Sequence, residues 1–343
     1  MNFQEMNKWI LSACAFFVWG AASVRAQQLV LRFGSDKTFK IAQFTDMHLD
    51  PSKPRRLAEA EKTFARLDRI LATERPDLVV FTGDVVTGAP AEGMWRRLLD
   101  TMTARRVPFC VVLGNHDSEQ DLSRQQIGRI VTSCPGSLNT LDAAGELADR
   151  ELEILGSGSR RPVWLLYCLD SHSESLLEGI DGYDWFRPEQ VAWLRDRCTA
   201  RRTANGGRAV PSLAFFHIVL PEYLAAWRNP SNTHIGRAAE AECPGALNTG
   251  MFAAMIETGS VAGTFVGHDH DIDYLVAEKG VCLGYGRFSG DNTTYNNLRP
   301  GVRLLLLTEG ERGFETWIRE DDGRMVDHAR FAEGKITEIA VER

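Results

Sequence analysis

The sequence predicts an α/β fold, and three observations carry that prediction. Short apolar runs of strand length recur and alternate with stretches of helical periodicity. Six of those runs end in, or carry, Asp, Asn or His. Near the C-terminus the pattern changes to strand-like runs that follow one another without long helices between them.

Taken in order, the chain opens on a segment with the features of a targeting signal. Lys8 precedes the apolar stretch WILSACAFFVWGAAS, and Val24-Arg25-Ala26 sets small residues where a signal peptidase reads, so residues 1–26 are expected to be a signal peptide cleaved after Ala26. The apolar run is short for a membrane span of about 20 residues. The expected destination is the periplasm or the exterior, without stable membrane association after cleavage. The run FKIAQFTDMH then ends at Asp46 and His48. RRLAEAEKTFARLDRILATE follows as a helix, with Leu57, Phe64, Leu67 and Leu71 on its apolar face. PDLVVFTGD ends at Asp84, and PFCVVLGNHD at Asn115, His116 and Asp117. Segment 134–160, rich in Gly, Ser and Ala, reads as a surface loop or insertion. PVWLLYCLD ends at Asp170, and FRPEQVAWLRDRC is a helix opened by Pro188. PSLAFFHI carries His217, GMFAAMIETG is a short helix closed by Gly259, and VAGTFVGHDH ends at His268 and His270. GVCLGYG, VRLLLLTE and FETWIRE are the consecutive strands of the tail. No repeat or linker interrupts the pattern, which predicts a single domain over residues 36–343.

Bulk properties narrow the function. The chain has 343 residues, 44% hydrophobic, with a net charge of -7. An acidic chain without basic clusters gives no general attraction for nucleic acid, so no nucleic-acid partner is expected. An anionic substrate stays possible, because a bound metal reverses the local field. There are seven cysteines, and loss of Cys14 with the signal segment leaves an even number, which permits disulfides in an exported protein. The absence of Cys-x-x-Cys argues against zinc-ribbon and thioredoxin-like chemistry.

The polar strand ends carry the chemistry. In an α/β sheet, groups at the carboxyl ends of strands are where sites form. Alone, an Asp after a strand is a turn or helix cap, and a lone His is surface or core. Together, Asp46, His48, Asp84, Asn115, His217, His268 and His270 supply carboxylate, imidazole and amide oxygen, a donor set suited to Mn, Fe or Zn. Two metals about 3.5–4 Å apart need a shared ligand, and the Asp84 carboxylate can bridge. A His outside the ligand set can protonate a leaving oxygen.

The blocks DMH, GD, GNHD, the His of FFHI, and GHDH resemble the five-part signature of the calcineurin-like metallophosphoesterases, from about residue 39 to residue 290. FFHIVLPEY, LNTGMF, VGHDHDIDY and PEQVAWL resemble the fungal- and plant-type branch related to purple acid phosphatases. The resemblance implies a four-layer α/β/β/α sandwich with two mixed sheets and two divalent or trivalent metal ions. Asp46, His48 and His270 would hold one metal, Asn115, His217 and His268 the other, and Asp84 would bridge. His116 would be the general acid. GDVVTGA removes its usual carboxylate partner, so Asp117 reads either as the carboxylate that orients His116 or as a turn residue. The implied activity is an exported phosphohydrolase, a phosphomonoesterase on small phosphate esters, with a metal-bridging hydroxide as nucleophile. A phosphodiesterase on the same site, or a catalytically silent exported binding protein, are the alternatives. The chain departs from the purple enzymes by carrying Thr87 where they have a tyrosine ligand, and from protein Ser/Thr phosphatases by having GDVVTGA in place of GDxxDRG. Beyond the signature, Tyr285, Arg287 and Arg237 are candidate substrate contacts. His172 reads as a solvated loop residue, His328 as an exposed tail residue and Glu222 as structural. The sequence does not specify oligomeric state or disulfide pairing.

Overall fold

The computed structural model describes residues 29–292 and 297–340. The signal-peptide segment read at residues 1–26 lies outside them. In chain order the elements are β1 (Leu31–Arg32), β2 (Thr38–Phe44), α1 (Pro54–Glu74), β3 (Leu78–Thr82), α2 (Ala91–Arg105), β4 (Phe109–Val112), α3 (Arg124–Ser133), β5 (Arg150–Leu155) and β6 (Pro162–Cys168). They continue with α4 (Pro188–Ala204), β7 (Ser212–Phe215), α5 (Pro221–Arg228), β8 (His234–Ile235), α6 (Met251–Thr258), β9 (Val261–Val266), β10 (Leu275–Glu278) and β11 (Val281–Tyr285). The tail adds β12 (Gly301–Thr308), β13 (Phe314–Glu320), β14 (Met325–Ala332) and β15 (Lys335–Glu338).

These strands build two mixed sheets, in the orders β15-β14-β13-β12-β2-β3-β4 and β1-β5-β6-β7-β9-β11-β10-β8. Strands separated by helices pair in parallel, as β2-β3-β4 and β6-β7-β9 do, because a parallel return needs a crossover. The tail strands β12 to β15 pair antiparallel through short turns.

The side-chain alternation of a strand decides the layering. Phe39, Ile41, Val80 and Cys110 of one sheet meet Trp164, Leu166 and Phe215 of the other in a shared interior. The opposite faces of the same strands, Phe44, Phe81 and Val111, pack against Phe64, Leu67, Trp95 and Ile127 of α1, α2 and α3. Leu165, Tyr167 and Leu283 likewise meet Leu194, Tyr223 and Met255 of α4, α5 and α6. The result is the four-layer α/β/β/α sandwich. Each such large apolar side chain, fully buried, contributes about 1.5–3 kcal/mol.

Two expectations change. Leu57 is 39% exposed, and the buried face of α1 is instead Ala60, Phe64, Leu67, Ile70 and Leu71. Segment 134–160 is not a loop throughout. It contains β5, antiparallel to β6, in which Leu152 and Ile154 of RELEIL are buried and Glu151 and Glu153 pair with Arg201 of α4. All six described cysteines are free thiols. No described helix is long and apolar enough to cross a membrane.

Candidate metal centre

The carboxyl ends of β2, β3, β4, β7 and β9 converge on one edge of the sandwich. Gln43 ties the two sheets together there: its Nε2 donates to Thr82 Oγ1 (2.9 Å) and to the Val266 carbonyl (3.0 Å). Beyond the strands the backbones stay paired, with Asp46 N–H donating to the Gly83 carbonyl (3.0 Å) and His48 N–H to the Asp84 carbonyl (2.9 Å). Asp46, His48, Asp84 and His268 then all adopt positive φ, at 50°, 44°, 50° and 81°. Non-glycine residues there cost of order 1–3 kcal/mol each and persist where the surroundings hold them, typically at functional sites. Period-two alternation already sets His268 and His270, two residues apart, on one side of the chain. Two glycines are needed for space. A Cβ at Gly114 would lie 2.5 Å from Asp84 N, and one at Gly267 would lie 1.9 Å from Thr45 Oγ1.

Asp46, His48, Asp84 and His270 bring one ligand atom each to within 4.8 Å of one another. His48 Nε2 lies 3.2 Å from His270 Nε2, 3.8 Å from Asp84 Oδ2, and Asp46 Oδ1 is 3.6 Å from His270 Nε2. On the other side of Asp84, His217 Nε2 lies 3.3 Å from Asp84 Oδ2 and 3.1 Å from Asn115 Oδ1. The His268 ring is 5.1 Å from that of His217. Asp84 thus stands between the two donor groups. Asp84 Oδ2 and His268 Nε2 are buried without a hydrogen-bond partner. Buried polar atoms are almost always satisfied, so the donors fit cations whose coordination would use those atoms.

The electrostatics agree. Burial would raise the Asp84 carboxyl, but the charge of His217, with those of His48 and His116, holds it well below the usual carboxylate range. Burial lowers His217, yet Asp84 outweighs it and pushes the imidazole up to about 10. Its Nδ1–H donates to the Thr82 carbonyl (2.7 Å), so Nε2 is the atom that exchanges a proton for a cation. Burial lowers His48 and His268 to about 3, which leaves both neutral and available as ligands.

His116 stands at the rim, its side chain 40% exposed and its ring 6.0 Å from that of His48. Its Nδ1 meets Glu119 Oε2 at 2.7 Å. Burial lowers its pKa, but Asp84 and Glu119 together raise it above the ordinary imidazole value. Glu119 therefore occupies the place expected of Asp117. Asp117 faces away from His116: its Oδ1 accepts from Val85 N–H (2.8 Å) and Val86 N–H (3.1 Å), its Oδ2 from Asp84 N–H (3.0 Å) and Gly114 N–H (2.8 Å). Nothing in the sequence distinguishes Glu119, which pairs through a turn rather than a strand end. Thr87, in the tyrosine position, sets its Oγ1 3.4 Å from His48 Nδ1.

Several expectations outside the donor set are corrected. Tyr285 is buried and donates to Asp269 Oδ2 (2.7 Å), which anchors the backbone between His268 and His270. Arg287 is buried against Asp273 and Glu320. His172 is half-buried, with Nε2 2.9 Å from Gln190 Oε1. His328 is half-buried beside Glu315 (3.5 Å) rather than exposed. Arg237 is exposed, and Glu222 accepts from Asn248 Nδ2 (2.8 Å).

Residues 39–271 match the model of the calcineurin-like phosphoesterases. The chain belongs to that family. It is a family of metal-dependent phosphoric ester hydrolases. Among curated proteins, the chain is 32% identical to the "probable inactive purple acid phosphatase 29" of Arabidopsis thaliana, over 87% of this chain and 86% of that one. It is 30% identical to phosphatase DCR2 of Saccharomyces cerevisiae, over 82% of this chain and 53% of that longer protein. A solved dimetal phosphatase of Danio rerio shares the fold, with a TM-score of 0.57 at 15% identity, over 86% of this chain and 99% of that one.

Proposed function

We propose that this chain is a dinuclear-metal phosphohydrolase that cleaves small phosphate monoesters. The observation that supports it most is the double donor set around Asp84: Asp46, His48 and His270 on one side, Asn115, His217 and His268 on the other. Bound cations at these donors would polarise the phosphoryl oxygens and make hydroxide available near neutral pH. The chain's own residues do the rest. Asp84 holds the two donor groups in register. His116, outside the ligand set and at the rim, donates its Nε2 proton to the leaving oxygen, and Glu119 at Nδ1 holds the ring in the orientation that leaves Nε2 free. The Arabidopsis thaliana relative carries the word inactive in its name, but all seven donors of the signature are present here. Residues 36–343 carry the activity as a single domain, and residues 1–26 direct export to the periplasm or beyond.

Turnover of p-nitrophenyl phosphate and bis(p-nitrophenyl) phosphate by Mn-, Fe- or Zn-loaded protein tests the reading. Monoester turnover abolished by His116→Ala with metal retained supports it. Preference for the diester converts it to a phosphodiesterase, and no turnover of either ester with metal bound leaves a silent binding protein.

A further inference from the structure

A hairpin that contributes no metal donor rises beside the centre. Ser173 Oγ at its base donates to the Asn115 carbonyl (2.9 Å). Glu174 and Tyr183 pair antiparallel, and Ser175 N–H donates to the Gly182 carbonyl (2.8 Å). The returning leg brings the half-buried Tyr183 ring to 4.2 Å from the His268 ring, at an interplanar angle of 89°. The Tyr183 carbonyl accepts from Ala246 N–H (2.8 Å), which fastens that leg to the neighbouring loop. The hairpin therefore flanks the centre from Asn115, next to His116, across to His268.

Its chemistry is one-sided. At the tip Leu176 is 95% exposed and Leu177 55% exposed. Residues 173–183 include Glu174, Glu178 and Asp181 and no Lys or Arg. Singly scattered surface leucines need no explanation, but these two are adjacent, at the tip of the hairpin whose Tyr183 lies against His268. The phosphoryl group is drawn to the donor cluster. The hairpin adjoins Asn115, the neighbour of His116, and His268, so a leaving group protonated by His116 would lie against it. An aromatic ring and two leucines attract an apolar group there, and three carboxylates repel a second phosphate.

We propose that the hairpin Ser173–Asp184 selects the organic part of the ester, and that the chain takes phosphate monoesters of apolar alcohols, aryl and alkyl, in preference to polar or multiply phosphorylated ones. The proposal rests on the hydrolase reading above for the place of the phosphate.

Phosphonates test it, because they bind without being turned over. Titration calorimetry on Mn-loaded protein would compare phenyl-, hexyl- and methylphosphonate, with metal content measured for every variant. Wild type is expected to bind phenyl- and hexylphosphonate about tenfold more tightly than methylphosphonate. Tyr183→Ala should remove the preference for phenyl, and the doubly exposed Leu176→Ser, Leu177→Ser variant the preference for hexyl. Methylphosphonate affinity should stay within about twofold in both. Equal binding of the three by wild type, or parallel loss of all three in the leucine variant, overturns the proposal. Retained preference without hydrolysis of any ester refutes the hydrolase reading alone. Failure of all three to bind refutes both.

Discussion

Asp117→Asn separates a structural from a catalytic role for this carboxylate, and its size follows from four hydrogen bonds. The two oxygens accept from the backbone N–H groups of Asp84, Val85, Val86 and Gly114, at 2.8 to 3.1 Å. They brace the two glycine turns, GD and GNHD, that present Asp84 and Asn115. Asparagine in the same rotamer keeps one acceptor, for Val85 and Val86, and sets an NH2 group against the N–H groups of Asp84 and Gly114. Two buried donors are then stranded, at about 1–3 kcal/mol each. The expected loss is about 2–6 kcal/mol, a large share of an ordinary domain's stability. Urea unfolding of wild type and variant, both treated with chelator, measures it. Metal affinity should fall with it, since the turns that position Asp84 and Asn115 are loosened. A loss under about 1 kcal/mol, with metal content intact and turnover gone, would refute this and return Asp117 to a direct role in the reaction.

Three further outcomes are expected. Metal loading must displace the Nε2 proton of His217. Its pKa is raised from 6.5 to about 10 by Asp84, so this pair stabilises the chelated protein fully below pH 6.5 and loses its contribution as pH rises through 10. Apparent metal affinity should therefore climb up to about tenfold per pH unit within that window, and His217→Gln should flatten the slope. An affinity independent of pH between these limits in wild type would contradict the exchange. Glu119→Gln removes a charge that raises His116, so the alkaline limb of kcat/KM, where the protonated acid is lost, should move to lower pH while metal content holds. An unmoved limb would show that Glu119 does not act through His116. Gly267→Ala drives a Cβ into Thr45 Oγ1 and toward Asp46 Oδ2 (2.6 Å). The folded protein should bind less metal, and full metal content with wild-type turnover would show that the turn can yield.

Much of the centre is legible in the sequence because its donors sit at strand ends. A strand of fixed rise delivers its last residue to one edge of the sheet, so the positions of DMH, GD, GNHD and GHDH after their apolar runs suffice to bring them together. What the motif does not contain is the backbone at the donors: Asp46, His48, Asp84 and His268 all take positive φ, a property of the turns rather than of the residue pattern. Glu119, rather than Asp117, meets the His116 ring for a similar reason. Both follow His116 closely, and only the turn decides which carboxylate reaches the ring and which takes the backbone N–H groups. In the fold, β5 leaves little trace in the residue pattern because RELEIL buries only two residues, and Leu57 fits the helical period yet lies in the first turn of α1, beyond the cover of the neighbouring layers. Tyr285 and Arg287 resemble contacts because flanking glycines suggest an open loop, whereas the segment is packed and both side chains are consumed by buried carboxylates.

The most direct test of the central claim is metal stoichiometry by mass spectrometry on purified protein, with Asp84→Asn in parallel. About two metal ions per chain are expected. Asp84→Asn should lose at least one of them while the fold, followed by circular dichroism, is kept. A wild-type chain that binds no Mn, Fe or Zn, or an Asp84→Asn variant that binds both ions as tightly as wild type, would contradict it.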